Sequence, residues 1–215
     1  MGITSSTDIC NLALDHLAAG TVQDIENPTD PTEEVLERWY DHCRKRVLRS
    51  HPWNFALKRT VLAASATDPA FGYDQQFPVP ADFLRIATIN DSVYQTDVPA
   101  QSKLYKLEGN NILTSSLFSD NTALNLVYVC DFTNVSQMDP LFIDLLAIEI
   151  ALSCAYKFTG SNTSVERVAE LRKEARSLAR AIDGQDSPPR IIERSNSRHV
   201  RRNNHSGSSS NRIVF

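Results

Sequence analysis

Few side chains in this sequence are spaced for catalysis. Glu149 is the most suggestive of them, because it lies inside the apolar run from Leu145 to Leu152. A carboxyl group buried among apolar side chains can have a raised pKa, as a general acid requires. No second catalytic group can be placed beside Glu149 by spacing. We therefore favour a structural ion pair between Glu149 and an arginine of the second predicted helix or of an adjacent subunit.

The histidines and cysteines give only weak indications of a site. His16 lies next to the apolar face of a predicted helix, where a packed and hydrogen-bonded ring is the usual role. The neighbours Asp15-His16 and Asp41-His42 do not face each other on a helix. The four cysteines are far apart and form no CxxC pair: Cys10, Cys43, Cys130 and Cys154. We expect free, buried thiols in a reducing compartment and no metal site.

Motifs of the common catalytic and cofactor-binding sites are missing from the sequence. There is no P-loop, Gly-rich dinucleotide turn, GxSxG or HExxH. Seven glycines in 215 residues leave little material for phosphate-binding loops. We predict no catalytic residue and no cofactor, and we expect that the protein is not an enzyme.

Apolar periodicity predicts helices at about residues 7–18, 32–50, 140–158 and 163–183. The second helix should end at Ser50, because Pro52 lacks an amide hydrogen and pushes the residue before it out of helical backbone angles. The third helix is apolar nearly all round, which predicts that it is the central, buried helix. The fourth has a Thr163–Glu166 capping box at its start and Gly184 at its end.

After Pro52 the periodicity changes from helical to alternating. Strand patterns recur over about residues 53–132, and Gly109-Asn110 fits a hairpin turn between two of them. Large aromatic side chains should hold the core, with Trp53 and Phe55 presented on an extended segment. The expected core residues are Trp39, Tyr40, Trp53 and Phe55. The predicted fold is α+β, an antiparallel helix bundle of about four helices with an inserted small antiparallel β region, in one domain over residues 1–184.

Residues 185–215 differ in composition and are called the C-terminal tail below. They are rich in Ser, Asn and Arg and carry a net charge of +4, against −4 for the whole chain and therefore −8 for the rest. Such a segment cannot bury enough surface to offset its ordering entropy, so we expect it to be disordered in the free protein. Its apolar anchors, Ile191-Ile192 and residues 213–215, suit an extended tail that folds onto a protein partner. A solvated tail without a partner is the alternative.

The sequence predicts no association with a membrane. Its first residues contain no basic stretch followed by an apolar run, so no secretory signal is expected. The longest apolar run, Leu145 to Leu152, is far too short to span a bilayer and contains Glu149.

Several segments, in this order, resemble the head-to-tail adaptor family of tailed bacteriophages. They are "ICNLALDHLAAG", an acidic, proline-containing loop, "RWYDHCRKRVLRSHPWNFALKRTVLA" and "FGYDQQFPVPADFLRI". Short-tailed members of this family are called tail tubular protein A or tail accessory factor. The likeness is best over the first ninety residues, and the two later helices fit the same layout.

The resemblance implies a structural protein of the virion that forms a ring, of twelve copies in the family, beneath the portal vertex. Such a ring lines the channel through which DNA passes without specific binding. Its partners would be copies of itself, the portal protein, the tail nozzle protein and, in some phages, a tail fibre or spike. Assembly would take place in the host cytoplasm. The C-terminal tail would contact the portal or a neighbouring subunit through Ile191, Ile192, Arg194, Arg198, Arg201, Arg202, Ile213, Val214 and Phe215.

Two other functions stay open at this point. A nucleic-acid-binding protein could use the basic helix between Arg38 and Arg49 together with the arginine-rich tail. The mild net acidity of the chain argues against this, and no aromatic residue lies between the tail arginines. A hydrolase, such as a cell-wall-degrading tail component, would use Glu149 as its acid.

Overall fold

The computed structural model describes residues 2–90, 92–93, 105–115 and 123–186. Over these residues the fold is α+β, with two helices before and two helices after a region of antiparallel sheets. The described α-helices are α1 (Ser6–His16), α2 (Pro31–Ser50), α3 (Pro140–Thr159) and α4 (Asn162–Gln185). This agrees with the predicted class and order of elements. The described residues include Asp186 but not the remainder of the C-terminal tail.

Helix α3 forms the centre of the helical layer, as its composition predicts. Helices α1, α2 and α4 all pack against it. Asp139 caps its start by accepting from the backbone N–H groups of Leu141 and Phe142, and Pro140 occupies the first turn. Gly160 ends it with φ of 61°, a left-handed conformation that glycine adopts at little cost.

Helix α2 ends where the proline rule predicts. Its last residue is Ser50, and His51 is extended, with φ of −151° and ψ of 149°. The segment that follows differs from the prediction, because Asn54–Ala56 forms a 3₁₀ turn in which the Ala56 N–H donates to the Trp53 carbonyl at 3.0 Å. The expectation that Phe55 lies on an extended segment is therefore wrong. The chain turns tightly before it enters the sheet.

The β region between α2 and α3 contains two antiparallel sheets in the described residues. One has the order β1-β7-β3-β4, and the other has the order β2-β6-β5. The strands are β1 (Leu57–Ala63), β2 (Gln75–Pro78), β3 (Phe83–Ile89), β4 (Ser92–Val93), β5 (Tyr105–Glu108), β6 (Asn111–Thr114) and β7 (Ala123–Cys130). The predicted hairpin is confirmed, since β5 pairs with β6 across Gly109-Asn110 and Gly109 has φ of 54°.

An aromatic cluster connects the helical core to the strands. The ring of Trp53 lies edge-on to Phe142 of α3 at a centroid distance of 5.3 Å. Phe55 packs between Phe142 and Phe132, which follows β7, at 4.9 and 5.4 Å. A separate apolar cluster lies among the strands and includes Phe77, buried completely. The aromatic residues at the α2–β1 junction thus fix the orientation of the helices against the larger sheet.

The ends of α4 differ from the prediction. Ser161 is the N-cap and accepts from the Ser164 N–H, so the helix begins before the predicted capping residue Thr163. At the other end the helix runs through Gly184 to Gln185. A glycine lacks a side chain but keeps its N–H, so it permits a helix end without requiring one.

Candidate interaction surface

The charges on α2 are separated along its length. Carboxylates dominate its first half, and Arg44, Lys45, Arg46 and Arg49 dominate its second. Each sign is favourable at its own end of a helix macrodipole. A helix of 20 residues is about 30 Å long, so the two charged regions face different parts of the surface.

An open groove of about 910 Å³ lies beside the acidic half of α2. We call it the acidic groove. Its charged lining consists of four carboxylates and one guanidinium: Glu26, Glu34, Glu37, Asp41 and Arg38. Glu26 accepts a hydrogen bond from the Ser6 hydroxyl of α1 at 3.1 Å. The groove therefore has a net charge of −3 and is built by α1, α2 and the loop between them.

Glu33, although on the same helix, has a structural role. Its carboxylate accepts from the backbone N–H groups of Thr29 and Gln23 at 2.8 and 3.1 Å. These hydrogen bonds to the charged form lower the pKa of Glu33 to about 2. The residue thus fixes the loop that forms one wall of the acidic groove.

In the middle of α2, Arg44 joins the helix to the end of β7. Its side chain is only 3% exposed and forms an ion pair with Asp131. It also donates to the Phe132 carbonyl at 2.7 Å and to Asp41 at 3.1 Å. Lys45 approaches the same Asp131 carboxylate at 3.5 Å but is half exposed. Arg44 therefore holds α2 against the end of β7 and has little exposed surface for a ligand.

Glu149 forms the structural ion pair that the sequence favours. Arg46 of α2 donates from Nη2 to Glu149 Oε2 at 2.9 Å, and Arg172 Nη1 of α4 lies 3.8 Å from the same oxygen. Glu149 is buried, and the two arginines are partly exposed. Arg176 lines the same small cleft, of about 150 Å³. One carboxylate therefore lies among three guanidinium groups.

The end of α4 is held against the α2–β1 junction. The Asp183 carboxylate accepts from the Asn54 N–H and lies within hydrogen-bonding distance of His51 Nε2, each at 2.9 Å. Asn54 Nδ2 donates to the Asp183 carbonyl at 2.6 Å, and Arg180 donates to the Ser50 carbonyl at 2.6 Å. Burial lowers the pKa of His51, an effect that the hydrogen bond to Asp183 partly opposes. This contact fixes the place where the chain leaves α4 for the C-terminal tail.

Arginines from three elements converge on the same side of the molecule. Arg180 is one of them, and burial together with the charges of Arg176 and Arg85 lowers its pKa. Arg85 of β3 donates to the Arg49 carbonyl at 3.2 Å, and Arg49 donates to the Leu84 carbonyl at 2.6 Å. We define the arginine face by these six residues: Arg46, Arg49, Arg85, Arg172, Arg176 and Arg180.

Sequence reasoning missed four of the six residues of the arginine face. It noted the arginines of α2 but did not use the repeat Arg172, Arg176 and Arg180, whose spacing of four places them along one side of a helix. That repeat is the sequence feature from which a basic side of α4 could have been predicted. The contribution of Arg85 had no local signal, because it depends on how β3 approaches the end of α2.

The nine residues predicted to contact the portal or a neighbouring subunit lie outside the described residues. Of the four predicted core residues, Trp53 is buried and its Nε1 donates to the Val47 carbonyl at 3.0 Å. Tyr40 is buried, and Trp39 and Phe55 are half-buried against the same cluster.

The thiols lie in the interior. All four cysteines are buried and unbridged. Burial raises the pKa values of Cys10 and Cys154 to about 12. Among the described residues no group of His, Cys, Asp and Glu is arranged to hold a metal ion. In the same part of the chain, none of the helices is long and apolar enough to cross a membrane.

Comparison of the chain with protein-family models and with curated proteins gives no match. The resemblance to phage adaptors therefore depends on the segments quoted above. The structure gives those segments a position. "RSHPWNFA" forms the α2–β1 junction, and "FPVPADFLR" runs from β2 of the smaller sheet into β3, which pairs with β7 in the larger sheet.

Proposed function

We propose that this protein is a structural head-to-tail connector of a tailed phage virion. In this role its copies form a ring, of twelve subunits by analogy with the family, beneath the portal. The ring joins the capsid to the tail nozzle and surrounds the channel that DNA passes through. The C-terminal tail docks on the portal or on a neighbouring subunit.

The observation that carries the proposal is the structural role of the residues that bear the resemblance. His51 contacts Asp183, and Trp53 contacts Val47 and Phe142. In the second segment, the Asp82 carboxylate accepts from Lys58 Nζ at 2.6 Å and from the Tyr128 hydroxyl at 2.9 Å. These side chains hold helices and strands together, so the likeness is to a scaffold. A scaffold is what a connector requires.

The charge arrangement gives further support. The acidic groove and the arginine face are separate, oppositely charged surfaces on one body, which suits a protein that contacts several components at once. The acidic balance of residues 1–184 would repel the phosphate backbone where the channel wall is formed, and repulsion favours passage of DNA over binding.

A nucleic-acid-binding function is the second candidate, and the arginine face is the observation that favours it. The α2 residues first considered for this role are largely occupied, because Arg44 pairs with Asp131 and Arg46 pairs with Glu149. Arg38 lies in the acidic groove. A DNA-binding protein would show affinity for duplex DNA with a steep dependence on salt concentration.

Electron microscopy of the purified protein, with and without portal, tests the proposal. We expect ring-shaped density on the portal. Removal of residues 187–215 should leave a folded protein, because both described apolar clusters are built from residues before Asp186, but this protein should no longer dock. Completion of particles at the normal rate by the truncated protein would show that the docking role of the C-terminal tail is wrong. Failure of the full-length protein to enter particles would contradict the connector function itself.

A further inference from the structure

We propose that the acidic groove of one copy docks on the arginine face of the next copy. This inference rests on the proposed ring and deepens it, since it names the two surfaces that meet between adjacent subunits. The contact is heterologous, which means that each subunit binds one neighbour with its acidic groove and the other neighbour with its arginine face.

The arginine face contains more positive charge than its own carboxylates balance. Six guanidinium groups lie there, and among the described residues the carboxylate that pairs with them is that of Glu149, through Arg46 and Arg172. Arg176 lines the cleft beside Glu149 but forms no hydrogen bond or ion pair within the described part of the chain. The guanidinium groups that a neighbouring copy could reach are those of the partly exposed residues Arg46, Arg172 and Arg176. Arg49, Arg85 and Arg180 donate to backbone carbonyls, so the arginine face is short of carboxylates.

Carboxylates are the acceptors that guanidinium groups bind best. They accept two parallel N–H bonds from the planar fork, with a geometry and charge that neutral groups lack. The acidic groove offers such groups on an open surface. Glu34 and Glu37 are exposed and form no ion pair within the residues described, and the Asp41 side chain is 64% exposed. The groove supplies what the arginine face lacks.

The positions of the two surfaces favour a contact that continues from subunit to subunit. The acidic groove is formed around the first half of α2, and the arginine face is formed where α2 ends against α4 and β3. On α2 the groove residues end at Asp41 and the arginine-face residues begin at Arg46, five residues or about 8 Å further along the helix axis. Because each subunit uses two different patches, the contact repeats from copy to copy. The copies form a closed ring when the rotation from one subunit to the next completes a full turn.

Paired charge reversals test the contact on the full-length protein. We expect Glu37→Arg alone and Arg176→Glu alone each to weaken ring formation by about tenfold, because like charges then face each other across every contact. The double variant should regain assembly. Glu174→Arg is the matched control, since Glu174 lies exposed on α4 outside the arginine face and should tolerate reversal. Circular dichroism of each variant confirms that the fold is intact.

Single cysteines identify which surfaces meet. Glu37→Cys and Arg176→Cys proteins, mixed under oxidising conditions, should form a disulfide between the two variants and none within either preparation alone. The native thiols are buried and should not interfere. A Glu37→Cys disulfide between identical copies would instead indicate a twofold contact and overturn the inference.

The outcomes separate this inference from the proposed function. Rings that form normally with either single reversal would overturn the groove-to-arginine contact while leaving the connector role in place. Loss of duplex DNA retention in Arg176→Glu, with rings unaffected, would assign the arginine face to nucleic acid and also overturn the contact. A wild-type protein that enters no ring and no particle would contradict the connector role.

Discussion

His51 Nε2 lies 2.9 Å from Asp183 Oδ2, and this contact joins the end of α2 to the end of α4 across 132 residues of sequence. The same carboxylate accepts from the Asn54 backbone. His51 and Asn54 lie at the α2–β1 junction, and Asp183 lies two residues before the C-terminal tail. The stability of this contact therefore decides whether the tail leaves from a fixed point on the body.

Replacement of Asp183 by Asn should lower the free energy of unfolding by about 1–3 kcal/mol, because Asn54 N–H and His51 lose a charged acceptor. Urea denaturation at pH 7 measures the change. Asp144→Asn is the matched control, since Asp144 lies exposed on α3 and should change stability by less than about 0.5 kcal/mol. Equal effects of the two substitutions would argue against a special role for the Asp183 contact.

Glu33 should make the protein sensitive to acid. Its pKa is about 2 in the folded protein and 4.5 ordinarily, so the carboxylate contributes stability that is fully present above pH 4.5. That contribution is lost as the pH falls from 4.5 towards 2. We expect Glu33→Gln to be less stable than the wild type at pH 7, with a smaller difference at pH 3. Urea titrations at both values decide this, and a difference that does not shrink with acid would contradict the assignment.

Arg44 and Lys45 provide a matched pair around Asp131. Arg44→Ala should cost about 2–4 kcal/mol, because it removes a buried side chain, leaves Asp131 with Lys45 alone and takes the guanidinium donor from the Phe132 carbonyl. Lys45→Ala should cost less than about 1 kcal/mol, because Lys45 is 47% exposed and its ion pair is screened by water. Thermal or urea unfolding measures both. A Lys45 effect as large as that of Arg44 would be the unexpected result.

Glu149→Gln distinguishes a structural carboxylate from a catalytic acid. We expect a loss of stability of about 1–3 kcal/mol, since Arg46 and Arg172 would then face a neutral amide. The hydrolase alternative predicts a different result, in which a cell-wall-degrading activity of the wild type disappears while stability and assembly persist. Unfolding curves and a cell-wall turbidity assay, run on the same preparations, separate the two.

The elements set by local rules were predictable from the sequence. Proline and its preceding residue end α2 at Ser50, and Asp139-Pro140 starts α3. The Gly109-Asn110 hairpin also follows from local turn preference. In each case the residues that decide the structure are neighbours in the chain.

The features missed from the sequence depend on contacts between distant segments. The pairing of β1 with β7 brings Leu57 opposite Val129, and no local pattern specifies that register. The arginine face needs α2, β3 and α4 to converge, so its extent appears only when Arg85 and Arg180 are placed together. Glu149 lies between these cases, because burial indicated an arginine partner but could not predict that Arg172 would join Arg46.

The most direct test of the central proposal is cryo-electron microscopy of tailed phage particles assembled in the presence of this protein, with the chain located by labelling or by its density. We expect a ring of copies beneath the portal, with the acidic groove of each subunit against the arginine face of the next. A protein that is missing from the virion, acts as a monomer and turns over a substrate would contradict the proposed connector function.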